Sequence, residues 1–254
     1  MAKLTKLMTM VAMAVVCIAS ASPASAMDNN WEKIKKTGVL TVGTSPDYPP
    51  FESVNPDTNT IEGFDIDLIN AVAAELGLKT EFKAMGFDSI IIAVKNKQIN
   101  LGMSSFSVTE ERKHSVDFTI PYFKNGSTVL TTADSVIKTV EDLVGKRVSA
   151  QIGSTSAEAA KKIKGAQAQI VDDANIAVMM MKNGAVQGAV LDVAIAENYA
   201  KRPEFTLFAK PLSYEETAAI VRKGAPEFLD ALNKAIKTLE ADGTIKKLRT
   251  KWGV

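Results

Sequence analysis

A run of alternating strands and helices that stops, and then begins again, constrains this chain more than any other feature. "VLTVG" (39–43) has the apolar, β-branched character of a strand. The segment "FDIDLINAVAAELG" then sets Ile69, Val72, Ala73 and Leu76 at helical spacing and reaches Gly77 as its C-cap. "LKTEFKA" alternates as a strand, "FDSIIIAVKNKQ" predicts a helix, and "LGMSS" predicts a strand whose end carries serines. After "DFTIPYF" the pattern resets. The segment "EDLVGKRVSAQIGSTSAEAAKKIKG" gives a strand, a Gly-Ser-Thr turn and a helix first. The strand "AQIV", the helix "ANIAVMMMKNG", the strand "AVQGAVLD" and the helix "VAIAENYAKR" follow, then a strand in "TAAIVRKG" and two terminal helices.

Strands alternating with helices imply mostly parallel sheets covered on both faces. Two such units predict an α/β protein of two lobes, joined by extended crossings near 122–126 and 213–217. The first lobe is expected from residues 27–124 with 217–254, the terminal helices returning to it, and the second from 125–216. Between the first strand and its helix lies "TSPDYPPFESVNPDTNT", read as a loop from its four prolines. In open parallel sheets, ligands sit beyond the carboxyl ends of the strands. That rule gathers Ser45 to Tyr48, Phe87, Ser104 to Ser107, Gln151 to Ser156 and Asp192 around one cleft.

Composition narrows the chemistry. Thirty basic residues against 29 acidic ones give no field suited to nucleic acid. Residues 1–26 read as a cleavable signal peptide: Lys3 and Lys6, an apolar run from Leu7 to Ala19, and "ASA" at 24–26. The apolar run is shorter than the ~18–20 residues of a spanning helix. Cys17, the sole cysteine, lies inside this leader after Val16, which disfavours lipidation and leaves no thiol for a disulfide or a metal. The lone histidine, His114, sits in "EERKHSVD" and reads as a solvated surface residue, so a zinc site or a His-based triad is not expected. No cofactor is expected. Met179, Met180 and Met181 read as core packing.

The segment "MSSFSVTEER" (103–112) sets hydroxyls ahead of a guanidinium. Arg112 offers donors in a fork that matches a carboxylate; the plainer reading is a surface arginine paired with Glu110 or Glu111. Thr109 reads as the N-cap of "EERK". Asp192, at a strand end, can accept hydrogen bonds from an ammonium group or cap the helix that follows. Thr155 stands where a helix opens, and backbone amides there favour an anion or a capping hydroxyl.

The motifs "YPPFE", "GFDIDL", "FDSI", "MSSFSVTEER", "VDFTIPY", "DLVGKRV", "GST" and "DGTIKKLRTKW" occur in this order along 38–253. In them the chain resembles the periplasmic solute-binding proteins of ABC importers, in the polar amino-acid family. The resemblance implies two lobes that close on a hinge over one free amino acid, without catalysis. It implies a periplasmic monomer that serves a membrane permease and its ATPase. Residue by residue, it implies that Arg112 holds the α-carboxylate, that Ser105 and Ser107 add hydrogen bonds to the ligand with Ser104 a further contact at the strand end, and that Tyr48 and Phe87 flank the ligand side chain. Gln151 is expected to help select that side chain. Some relatives carry an acid at the place of Ser45, so serine here argues against a strong preference for a cationic side chain. Against that, "MSSFSVTEER" looks most like basic amino-acid binders and "SPDYPPFES" resembles arginine-binding members. Two other classes stay open: a periplasmic dehydratase of cyclic acids on the same scaffold, using Asp192 as its acid, and a ligand-sensing partner of a receptor.

Overall fold

The strand Val39–Thr44 buries Leu40 and Val42 completely and lies inside a five-stranded sheet. The computed structural model describes residues 30–254; the expected leader and Cys17 lie outside the described residues. Across the first sheet the order is Lys79–Ala84, Val39–Thr44, Leu101–Gly102, Ile220–Arg222, Val116–Phe118. The first three run parallel, and Ile220–Arg222 runs against both of its neighbours. The second sheet repeats the plan in the order Gln167–Val171, Arg147–Gln151, Gly188–Asp192, Ser127–Thr132, Phe205–Leu207. There Ser127–Thr132 is the strand that opposes both neighbours. Each sheet is therefore mixed, with its reversed strand in the fourth place.

The reversed strand of each sheet is the one the chain enters from a crossing. The crossings, Phe123–Asn125 and Glu215–Thr217, pair antiparallel as a two-stranded ribbon. The protein is thus two-lobed, with one sheet in each lobe. At Gly126, where the chain leaves the ribbon, a Cβ would collide with the carbonyl of Ser213, so only glycine lets the crossings approach this closely.

Helices cover the sheets as their apolar stripes require. Phe64–Glu75 buries Phe64, Leu68, Ile69 and Val72, and Pro226–Ala241 buries Phe228, Leu232, Ile236 and Leu239 in the same core. Each such side chain contributes about 1.5–3 kcal/mol by leaving water. The C-terminal helix Thr244–Trp252 is tied to the first lobe through Asp67, which accepts from Trp252 Nε1 (2.7 Å) and Lys251 Nζ (2.6 Å). A second core gathers Val129, Val148, Ala150, Ala157 and Val190 in the other lobe.

Three local expectations change. The proline-punctuated segment is no plain loop: Asp47–Tyr48, Glu52–Val54 and Ile61–Glu62 form a small antiparallel sheet. The strand expected over "LGMSS" shrinks to Leu101–Gly102. Gly102 is wedged so tightly that a Cβ would lie 2.7 Å from Ile90 and Ile220, and the chain leaves the sheet just beyond it. The methionine run is split. Met181 is buried and Met180 packs partly against the core, but Met179 is 58% exposed. Consecutive residues on a helix differ by about 100°, so three in a row cannot share one face.

Candidate functional site

Between the two sheets lies a narrow cleft lined by residues of both lobes. The first lobe lines it with Asp47, Tyr48, Glu52, Phe87, the serine segment and Arg112; the second adds Gln151, Ser154, Thr155 and Asp192. Nine of the ten residues singled out from sequence reach this wall, and Ser45 does not. Its N–H is committed to Ser104 Oγ (3.0 Å) behind the wall, and Asp47, two residues on, faces the cleft instead.

Arg112 is placed by a short helix, Glu110–Lys113, whose N-cap Thr109 accepts the Arg112 N–H at 3.1 Å. That cap turns the guanidinium inward. Nη1 donates to the carbonyl of Ser107 (2.8 Å) and Nη2 to the carbonyl of Gly153 in the other lobe (2.9 Å). The Phe87 and Phe106 rings stack 4.6 Å apart, and the guanidinium carbon lies 5.4 and 5.3 Å from their centroids. Such contacts suit a cation already withdrawn from water. The surface-pair reading of Arg112 fails here: Arg112 is buried, and Glu110 pairs with Lys113. Burial lowers the Arg112 value, while Asp192, Glu215 and Glu111 raise it.

The serines do different work. Ser104 Oγ donates to Glu52 Oε1 at 2.9 Å. Ser105 adopts φ +50°, strained for a residue with a Cβ, and its N–H is held by Asp65 Oδ2 at 2.8 Å. Tyr122 donates its hydroxyl to the same Asp65 oxygen, also at 2.8 Å. Ser107 Oγ meets Thr155 Oγ1 of the second lobe at 3.1 Å.

Asp192 precedes the helix Val193–Ala200 but gives it no side-chain cap, so the capping role considered for it is not the one it plays. Its Oδ1 accepts from Ser156 Oγ (3.2 Å) and its Oδ2 from Asn125 Nδ2 (3.0 Å), while its N–H donates to the Tyr48 hydroxyl (2.9 Å). Burial, then the nearby Glu215, push its acid up to about 7. Thr155 opens the helix Thr155–Lys162, but the cap is Ser154, which accepts from Ala157 N at 2.9 Å. The Thr155 hydroxyl is left facing Ser107.

Four groups were given no role by the sequence: Asp47, Glu52, Asp65 and Tyr122. Asp47 Oδ2 crosses the cleft to accept from Gln151 Nε2 and Ala174 N, both at 2.7 Å. Glu52 and Asp65 are completely buried beside each other, with Tyr122 over Asp65. Burial raises the acids of Asp47 and Glu52, and takes Asp65 to about 7. For two of them the sequence carries a signal: Asp65 stands between Phe64 and Ile66, and Glu52 follows Phe51, in segments whose neighbours are core. Charged residues embedded in apolar runs are rarely buried without a purpose.

The chain matches the model for bacterial extracellular solute-binding proteins, family 3, over residues 40–254. It is 34% identical to the arginine-binding extracellular protein ArtP of Bacillus subtilis over 242 residues, 93% of this chain and 94% of that protein. Among solved structures it is similar to an ancestral arginine-binding protein bound to arginine (TM-score 0.80, 38% identity, 85% of this chain and 98% of that one). It is also similar to AncCDT-1, an ancestral amino acid-binding protein described as a precursor of cyclohexadienyl dehydratase (TM-score 0.83, 36% identity, 87% and 98%). No helix among the described residues is long and apolar enough to cross a membrane. Since the matched region runs through both sheets, the hinge ribbon and every residue of the cleft wall, this chain belongs to the bacterial extracellular solute-binding proteins, family 3.

Proposed function

We propose that the protein binds one free polar L-amino acid between its lobes in the periplasm and hands it, as a monomer, to the permease and ATPase of an ABC importer. The observation that carries this reading is the pairing of Arg112 from the first lobe with Asp192 from the second on the wall of one enclosed cleft. Opposite charges held on opposite lobes suit the two ends of a zwitterion. Arg112 takes the α-carboxylate, with Ser107, Thr155 and the amides opening the helix Thr155–Lys162 beside it. Asp192 takes the α-ammonium. Tyr48 and Phe87 wall the side chain, and Ser104, Ser105 and Gln151 complete the wall. The arginine named for relatives at 34–38% identity supports the polar class.

The lobes, 27–124 with 217–254 and 125–216, move as rigid bodies about the ribbon of Phe123–Asn125 and Glu215–Thr217. A ligand held by both lobes binds the closed form better, and only that difference drives closure. A dehydratase would need an acid with a free O–H over a leaving group. Both oxygens of Asp192 already accept hydrogen bonds, which favours binding over catalysis. Calorimetry on refolded, ligand-stripped protein with each of the twenty amino acids tests the reading. Saturable binding of one polar class supports it; turnover of cyclic acids with no amino-acid binding overturns it.

A further inference from the structure

We propose that Glu52, backed by Asp65, holds a proton that a cationic ligand side chain displaces, so that the cleft takes cationic amino acids by proton exchange and uncharged ones with the proton kept. This rests on the amino-acid reading above and adds how the site chooses the ligand's side-chain charge. The geometry carries it. Glu52 lines the cleft and is 1% exposed; Oε1 accepts from Ser104, and the buried Oε2 has no partner. Asp65 lies behind it, completely buried, with Oδ2 accepting two hydrogen bonds and Oδ1 without a partner. Neither forms an ion pair among the described residues.

Two carboxylates held by the successive residues Ser104 and Ser105, and this dry, do not both ionise without a cation. Asp65 keeps its charge more readily, because Ser105 N–H and the Tyr122 hydroxyl both point at it. Glu52 has one donor, so the proton rests there. The direction of the acid values agrees: burial first, then Asp65, raises Glu52 well above the ordinary carboxylate range. The remaining groups facing Glu52 reinforce this. Asp47 and Asp192 are acidic, Tyr48 and Tyr122 are neutral phenols, and Arg112 on the same wall is already engaged with two carbonyls. Glu52, Asp65, Ser104, Ser105 and Tyr122 all precede the hinge ribbon in the chain, so the proton is in place before the lobes close.

When a guanidinium or ammonium arrives, the Glu52 proton leaves to solvent and the carboxylate accepts N–H bonds from the ligand. An uncharged amide side chain meets the protonated acid, whose O–H donates to the amide carbonyl. Proton release on binding makes the affinity for a cation rise with pH, by up to tenfold per unit, until Glu52 ionises unaided.

Calorimetry of arginine and of glutamine at pH 7, each in buffers of different ionisation enthalpy, reads the proton count directly. Arginine is expected to release between half a proton and one, and glutamine close to none. Glu52→Gln should abolish the release and weaken arginine at least tenfold, while glutamine changes less than threefold. Should that variant fold poorly, Asp65→Asn serves: it relieves the pressure on Glu52 and should lower the arginine proton count while binding persists. Equal proton counts for the two ligands, or an unchanged arginine count in either variant, overturn the exchange and leave the amino-acid reading standing. Failure of every amino acid to bind removes both.

Discussion

The two lobes share a sheet plan yet meet the cleft with different chemistry. The first lobe brings side chains: Arg112 on its aromatic shelf, the serines, and the acids Asp47 and Glu52 with Asp65 behind. The second brings helix beginnings: Thr155–Lys162, Ala174–Lys182 and Val193–Ala200 all open beside the cleft. Their amides carry partial positive charge, and two carboxylates stand among them, Asp173 and the buried Asp192. On the proposed reading the first lobe meets the ligand's carboxylate and side chain, and the second completes the site at the ammonium. Bonds that cross the cleft, from Arg112 to Gly153, Asp47 to Ala174 and Asp192 to Tyr48, show how the second lobe docks by its backbone.

The sharpest way to break this contrast is to remove the first lobe's anchor. Arg112→Ala should cost about 2–5 kcal/mol of ligand affinity, since a carboxylate would be left desolvated without its partner. That is roughly 30-fold to several thousand-fold in Kd, read by calorimetry, with the circular dichroism of the fold retained. Wild-type affinity in this variant would move recognition out of the first lobe.

Removing the second lobe's charge should cost less. Asp192→Asn keeps an acceptor for Ser156 and loses the charge that meets an ammonium. Amino-acid binding should weaken by about tenfold to a hundredfold, in the range of one charge-assisted bond. Des-amino analogues, weak on the native protein, should bind the variant no worse. Tight binding of those analogues to the native protein would strike out the ammonium role.

A smaller effect lies in the first lobe's buried acid. Asp65 titrates at about 7 in the fold against an ordinary 3.8, so the folded protein binds this proton more tightly than the unfolded chain does. Its favourable contribution is complete below about pH 4 and is lost as pH rises towards 7. Asp65→Asn can still accept from Ser105 and Tyr122 through one oxygen, as Asp65 Oδ2 does. The variant should therefore gain several degrees in Tm at pH 8 and little at pH 4, measured on ligand-stripped protein. A Tm difference that does not change with pH would put Asp65 outside the titrating pair.

Much of this arrangement could be read from the chain. The alternation of strand and helix, the Thr109 cap, Arg112 and Asp192 all carry local signals: spacing, a hydroxyl before "EE", a charge at a strand end. Asp47, Glu52 and Asp65 carried none of that kind. They come from three separate elements, and only tertiary packing brings them together around the serine segment and Tyr122. Ser45 stays off the cleft wall for a related reason. Which of two acidic or hydroxyl residues on a bent strand end faces the cleft is decided by a hydrogen bond to Ser104, from a segment nearly sixty residues away.

The smallest expected effect comes from a second aspartate in the same lobe. Asp173 and Asp192 both stand at the N-cap of a helix beside the cleft. Asp173 does the structural work, accepting from Asn175 N (2.7 Å) and Ile176 N (3.1 Å) through one exposed carboxylate oxygen. Asp192 gives its helix nothing and keeps both oxygens for Ser156 and Asn125. Sequence alone treats the two alike; burial separates them. Asp173→Ala should lose the cap, about 1 kcal/mol of stability. Its charge bears on the cleft only through Asp47, whose acid it helps to raise, so ligand affinity should change by less than about threefold. Asp192→Ala should instead lose most of its affinity, and should also lower the Tm of ligand-stripped protein because Ser156 and Asn125 lose their buried acceptor. If Asp173→Ala weakened binding as much as Asp192→Ala does, the helix beginnings of the second lobe, rather than its one buried carboxylate, would be what holds the ligand.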